Sequence, residues 1–288
     1  MRSWMLAACA ALAIGCGAEA QTRPPAAIYA DPPADKANPA RSEVLHIPSG
    51  GVQINGLAYL AAGPGAHPTV VLLHGLPGNE KNLDLAQALR RGGWNVVTFN
   101  YRGSWGSPGT FSFKGNLDDA KAVLAYLRTP ANAAALRIAP ERLVIMGHSM
   151  GAWVTSQVAA GDAALAGAAL ISAADMGKRA GNPIERNTNL AAQNMESLAG
   201  VTAQSMAREM AELGPYTFAA AAPGLTKVPL LVLTSDDGLA PDAQALVMDV
   251  KRRGGRVKVV HVASDHGWNT ARIRLQTEIL AWLGTLPK

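Results

Sequence analysis

From Thr69 onward, short apolar runs alternate with stretches whose apolar residues recur every three or four positions. Thr69 to Leu73, bounded by Pro68 and Gly75, is one such run; Asn95 to Asn100, Arg142 to Met146, Ala166 to Ser172, Val228 to Thr234 and Val257 to Val262 are others. Runs this short and this uniformly apolar predict strands of a parallel sheet buried on both faces. Between them, helical spacing predicts helices over Asn82 to Arg91, Leu117 to Leu127, Ala152 to Ala160, Asp242 to Arg253 and Thr270 to Leu283. Ahead of this series, Ser42 to Ile47 and Val52 to Leu60 alternate apolar with polar residues around Ser49-Gly50-Gly51, the pattern of two half-buried strands. The expected class is therefore α/β, a mostly parallel central sheet with helices on both faces. The alternation lapses once. Between Ser172 and Val228 no strand is predicted, while Thr202 to Leu213 and Tyr216 to Ala222 have helical spacing. A compact domain rarely holds so long a structureless loop, so residues 174–227 are expected to form a small helical insertion over one end of the sheet.

Composition agrees with a packed body. Residues of the AVILMFWYC set make up 49% and charged residues 16%, which excludes a disordered chain. The net charge of +5 is modest, and the basic stretch Lys251 to Lys258 contains no aromatic residue, so it is a solvated helix end and not a nucleic-acid surface. Cys9 and Cys16 are the whole thiol inventory, leaving the body without disulfides or a cysteine-ligated metal.

Both cysteines fall in an N-terminal address. Arg2, the uncharged run Met5 to Gly15 and Ala18-Glu19-Ala20 before Gln21 predict a secretory signal peptide over residues 1–20. The run is shorter than the roughly 20 residues that span a bilayer. A rival reading takes Ala13-Ile14-Gly15-Cys16 as a lipoprotein signal with a lipid anchor on Cys16. Either way the expected location is secreted or periplasmic, with no transmembrane segment in the mature chain. Gln21 to Arg41 holds five prolines and reads as an extended, weakly ordered leader before a body over residues 42–288.

The candidate chemistry lies at strand ends. Gly147-His148-Ser149-Met150-Gly151 joins a predicted strand to a predicted helix, the setting in which G-x-S-x-G exposes a nucleophilic serine. Of six histidines, His46 and His261 fall in strands, His67 in a turn, and His148 in the elbow itself, pointing away from a partner. His266, in a loop past a strand, is the expected general base. Asp237 follows another strand and is the expected acid that orients it, with Asp236 as rival and Asp265 as a turn cap. For the oxyanion of a tetrahedral intermediate, the backbone amides of Met150 and of Leu76, in His74-Gly75-Leu76-Pro77-Gly78, are the expected donors. Arg102 either binds a substrate carboxylate or holds the loop Gly103 to Gly109. Trp105, Trp153 and Trp268 either line an acyl pocket or pack in the core.

Taken together, H-G-x-P-G at His74 to Gly78, Asn100-Tyr101-Arg102-Gly103-Ser104, the Ser149 elbow and Asp237 to Pro241 before His266 resemble the α/β-hydrolases, from about Ser42 to Leu286. The first two segments are similar to those of bacterial secreted esterases and of the catalytic domain of prolyl-oligopeptidase-type peptidases. The acid loop Thr234-Ser235-Asp236-Asp237 departs from the Gly-x-x-Asp of many relatives, which keeps Asp236 open. The resemblance implies the α/β-hydrolase fold and a serine hydrolase of carboxylesterase type, acting on a small-molecule acyl substrate without metal or organic cofactor. A peptidase, thioesterase or acyltransferase would use the same triad, and a non-catalytic envelope binding protein could retain the fold. The insertion is expected to act as a lid.

Overall fold

The computed structural model describes residues 23–287. The predicted signal peptide, with Cys9 and Cys16, lies outside them. Eight strands among the described residues form one sheet: β1 (Arg41–Ser49), β2 (Val52–Leu60), β3 (His67–Leu73), β4 (Asn95–Phe99), β5 (Ile138–His148), β6 (Gly167–Ile171), β7 (Leu230–Thr234) and β8 (Val257–His261). Their spatial order is β1-β2-β4-β3-β5-β6-β7-β8. β1 and β2 form an antiparallel hairpin, β2 joins β4 antiparallel, and every pair from β4 to β8 is parallel.

The buried strands explain the continuous apolar runs. In β3, Val71 and Leu73 enter one apolar layer while Val70 and Leu72 enter the other; in β5, Ile145 and Met146 divide in the same way. Both faces are covered. On one lie α2 (Phe113–Arg128), α4 (Met150–Gly161), α7 (Phe218–Leu225) and α8 (Ala240–Arg252); on the other lie α1 (Leu83–Arg91) and α9 (Arg272–Leu283). A short α3 (Pro130–Ala135), with Pro130 opening it, follows α2 where the sequence predicts only a helix end. Part of the proline-rich leader docks: a 3-10 turn at Ala26–Ile28 is held by Arg91, whose guanidinium donates to the carbonyls of Ala27 at 2.6 Å and Ile28 at 3.1 Å.

The stretch between β6 and β7 has two parts. A 3-10 turn at Met176–Gly181, then α5 (Ile184–Ala192) and α6 (Ala203–Ala211), form the expected helical insertion. α7 belongs to the scaffold instead. It supplies the crossover helix that parallel β6 and β7 require, and it packs so closely on α4 that a Cβ at Gly224 would stand 2.1 Å from the Ala160 carbonyl oxygen.

One buried ionic knot joins the hairpin, the loop after β4 and α2. The Asp119 side chain is fully buried; it accepts from Arg102 Nε at 2.6 Å and the Arg102 amide at 2.8 Å, and also from the Ser49 hydroxyl. Arg102 also donates to the Gly115 carbonyl at 3.0 Å. Its role is thus structural, and its anchors lie on α2 instead of within Gly103 to Gly109. Removing one partner of such a pair strands a charge. Arg102→Met should therefore cost about 3–5 kcal/mol of stability in urea denaturation, and a loss below about 1 kcal/mol would show that the knot contributes little.

Candidate active site

The order of the sheet reverses beside β3: the chain steps from β3 to β4 on one side and later places β5 on the other. Loops leaving the C-terminal ends of β3 and β5 diverge there, and an open α/β sheet binds its ligands at such a point. The elbow after β5 occupies it. Ser149 has φ +58°, in the left-handed region, and is half-buried. This turn brings strand and helix into backbone contact. A Cβ at Gly147 would stand 2.2 Å from the Gly151 carbonyl oxygen, and one at Gly151 would stand 2.6 Å from the Leu73 carbonyl oxygen. Only glycine fits at either position. The Ser149 amide donates to the Ile171 carbonyl at 2.9 Å, locking the turn to β6.

The turn after β3 lies against the same serine. A Cβ at Gly75 would come 2.9 Å from Ser149 Cβ. Leu76 follows directly, its side chain half-buried against the apolar layer. Trp105 Nε1 at 2.7 Å and the Ser197 hydroxyl at 3.3 Å both donate to the Pro77 carbonyl and fix this turn from the loop after β4 and from the insertion. Met150 is the first residue of α4, so its amide has no acceptor within the helix.

Asp237 and His266 meet. His266 Nδ1–H donates to Asp237 Oδ2 at 2.8 Å, and the Asp237 side chain is 2% exposed. Asp236, at 63% exposure, instead accepts from His261 Nε2 at 3.1 Å on the outer edge of the sheet. The Thr234 hydroxyl completes that outer pair by donating to His261 Nδ1 at 2.9 Å. Asp265 caps its own turn through the Asn269 amide at 2.8 Å. Burial pushes the Asp237 carboxyl up. Hydrogen bonds from His266, the Leu239 amide and the Ser172 hydroxyl outweigh that and bring it down to about 2.

Two supports were not legible as such in the sequence. His148 does not point away from a partner: its Nε2–H donates to the His266 carbonyl at 2.8 Å, and the two rings lie 4.6 Å apart. Burial, with His266 beside it, lowers the His148 pKa to about 4. The ring is therefore neutral at pH 7, which leaves Nε2 a donor and adds no like charge next to His266. The second support is Ser172, at the end of β6 with φ +43°. It accepts from Trp268 Nε1 at 2.9 Å and shares a 2.8 Å hydrogen bond with the Ser235 hydroxyl. Trp268 is fully buried in this role, and Trp153 is a core residue donating to the Tyr216 carbonyl at 2.6 Å, so neither lines an acyl pocket. A polar residue closing an apolar parallel strand was the one available hint for Ser172.

Among the described residues no group of three or more His, Cys, Asp or Glu side chains is arranged to hold a metal ion, and no helix is long and apolar enough to cross a membrane.

Residues 70–273 match the alpha/beta hydrolase family. The chain belongs to this family. It is 33% identical over 96 residues to the lysophosphatidylserine lipase ABHD12 of Danio rerio, which covers 32% of this chain and 23% of that one. It thus spans about a quarter of the length of that curated relative. Solved structures share this hydrolase fold at low identity. A Rhizomucor miehei esterase superposes with a TM-score of 0.65 at 19% identity over 86% of this chain and 84% of that one. A Bacillus coagulans carboxyl esterase superposes with a TM-score of 0.66 at 13% identity over 86% and 98%.

The depressed Asp237 carboxyl has a consequence for acid stability. A carboxyl whose folded pKa lies below its unfolded value adds stability above the unfolded pKa, and that stability is lost as pH falls through the folded one. Here the window runs from about 4 down to about 2. The wild type should be more stable than Asp237→Asn at pH 6, by on the order of 2 kcal/mol, and the gap should close across that window. Denaturation curves of both proteins at stepped pH measure it; a gap that does not change with pH would contradict the assignment.

Proposed function

We propose that the protein is a serine hydrolase that cleaves a carboxylic ester through an acyl-enzyme. The observation that carries this reading is the hydrogen bond from half-exposed His266 to the buried Asp237 carboxylate, beside an elbow that holds Ser149 at positive φ. With His266 Nδ1–H committed to Asp237, the other ring nitrogen, Nε2, is left as the base. It takes the proton of Ser149 Oγ as that oxygen attacks the ester carbonyl. The carbonyl oxygen becomes an oxyanion and is met by the amides of Met150 and Leu76. Asp237, ionised at any pH above about 2, stabilises the imidazolium. The imidazolium then returns its proton to the leaving alcohol. Water, deprotonated by the same nitrogen, attacks the acyl-Ser149 ester and frees the acid.

Ester is preferred to amide or thioester because the fold neighbours named above are esterases and the partial sequence relative is a lipase. The α5–α6 insertion is the proposed lid. Its segment at Ser197 and Ala199 is hydrogen-bonded to the loop after β4: the Trp105 amide donates to the Ser197 carbonyl at 3.0 Å, and the Ala199 amide to the Gly103 carbonyl at 2.8 Å. The secreted or periplasmic location, read from residues outside the described structure, stands as part of the proposal.

A fluorophosphonate probe should label the wild type and leave Ser149→Ala unlabelled, and Ser149→Ala should lose roughly 10³-fold or more in p-nitrophenyl ester hydrolysis. Full activity in that variant would end the serine mechanism. The two neighbouring acids separate cleanly as well. Asp237→Asn should reduce kcat by roughly 10²-fold or more, whereas Asp236→Asn, which loses only the solvent-facing His261 contact, should stay within about twofold. The reverse order would move the acid by one residue.

A further inference from the structure

The loop between the Gly75–Gly78 turn and α1 carries a cation that this chemistry does not use. Lys81 Nζ donates to Asn100 Oδ1 at 3.0 Å and sits 4.4 Å from the centroid of the Trp105 ring. Both contacts are themselves fixed. Asn100 Nδ2 donates to the Trp105 carbonyl at 3.1 Å, and the Trp105 indole is bound to Pro77. The ammonium is therefore held in one place instead of sweeping through solvent on its stem. Neither contact is a counter-charge. The acidic residues nearest in sequence, Glu80 and Asp84, turn toward Arg272. Among the described residues no carboxylate lies within ion-pairing distance of Lys81. Partial burial lowers its pKa, as expected for an ammonium that has lost water and gained no anion.

Lys81 lines a cavity of about 220 Å³ at the C-terminal ends of β3 and β4, on the α1 face of the sheet. Asn55, Tyr59, Thr98, Asn100 and His74 add polar groups to its wall, and Lys81 is the single charged residue in it. His74 brings no second charge. Its Nδ1–H is donated to the Gly75 carbonyl at 2.8 Å, and burial holds its pKa at about 4 despite that bond. The volume is several times the roughly 30 Å³ share of one water molecule, enough for a carboxylate or phosphate with a short stem. His74 also ties the cavity to the reaction centre, because the next residue is the glycine that touches Ser149.

We infer that this cavity is a subsite for an anionic group carried by the substrate, a carboxylate or phosphate paired with Lys81. Two of the three Lys81 N–H donors are free for it, and the pairing would occur where water is partly excluded. This inference rests on the ester-hydrolase reading and narrows its substrate class to esters that bear a negative charge.

A matched pair of substrates tests it: p-nitrophenyl valerate, and mono-p-nitrophenyl glutarate, which has the same chain length and a terminal carboxylate. The wild type should favour the glutarate ester by roughly tenfold or more in kcat/KM, the loss expected when a charge-assisted hydrogen bond is removed. Lys81→Met should abolish the preference, mainly through KM of the glutarate ester, and Lys81→Arg should keep part of it. A wild-type ratio near one, or a ratio that Lys81→Met leaves unchanged, would overturn the inference. Inorganic phosphate separates a substrate-borne anion from a free one. It should inhibit glutarate-ester hydrolysis competitively, and less so in Lys81→Met. If phosphate instead raised the Tm through Lys81 while the ester ratio stayed at one, the cavity would hold a free anion and the inference would fall. Calorimetric titration of Ser149→Ala with the glutarate ester separates failure of this inference from failure of the hydrolase reading. Binding that disappears in Ser149→Ala/Lys81→Met retains the subsite even if the wild type cleaves neither ester; binding indifferent to Lys81 removes it.

Discussion

The arrangement depends on how closely backbone can approach backbone at the end of β5. Gly147 and Gly151 leave no room for a Cβ, and the chain between them must reverse from strand to helix in a single residue, Ser149. A serine at positive φ costs free energy of the order of 1 kcal/mol or more, which the surroundings must offset. The Ser149 amide is bound to β6, and its carbonyl accepts from the Ala174 amide at 3.2 Å. The sheet must therefore be complete through β6 before the elbow is stable. Exposure of the hydroxyl follows from sheet assembly and not from the pentapeptide alone.

The same dependence extends to Asp237 and His266, which arrive on the loops after β7 and β8. Each is tied to residues of another loop. His148 of the elbow holds the His266 backbone, and Ser172 after β6 bridges Trp268 of the His266 loop to the Asp237 loop. Ser172 and Trp268 both have positive φ, as Ser149 does. Ser172 and Trp268 thus belong to one hydrogen-bonded network at the C-terminal end of the sheet, where Ser149 also lies. The polar groups in it are buried, and a buried donor without an acceptor costs about 1–3 kcal/mol. That penalty is what makes the network selective: a loop displaced by an ångström breaks several bonds together, so the ordered arrangement is separated by a gap from its alternatives.

The sheet was legible because both of its faces are buried. Uniform apolar runs bounded by glycine and proline have few other solutions, and every strand from β3 to β8 lies within a few residues of its predicted position. The elbow at Ser149 and the meeting of Asp237 with His266 are legible because strand ends are where side chains of a parallel sheet converge. The choice between Asp236 and Asp237 was not decidable from composition. Adjacent residues leaving a strand point to opposite sides, and which one turns inward depends on the path of the β8 loop. The direction of His148 is hidden from the sequence for a related reason. Its direction follows from the left-handed turn at the next residue, and its partner is a main-chain carbonyl, which no residue-type pattern can announce. α7 is predicted as a helix, but its place in the scaffold follows from β6 and β7 being parallel neighbours, which the sequence alone does not specify.

Charge economy links the two imidazoles beside the elbow to the cation beside the Gly75–Gly78 turn. His148 and His74 flank Ser149 and Gly75, and burial holds both neutral at pH 7. If either were protonated, it would oppose formation of the His266 imidazolium, which in the proposed mechanism must appear in each half-reaction. Neutral rings allow Asp237 to be the charge that His266 meets at close range. Lys81 is the exception to this economy. A cation beside the Gly75–Gly78 turn, partly buried and without a counter-charge, is less favourable alone than when an anion pairs with it. Binding energy gained there is realised away from the scissile bond, so it can hold the carbonyl against Ser149 without stabilising the ground state at the reacting atoms.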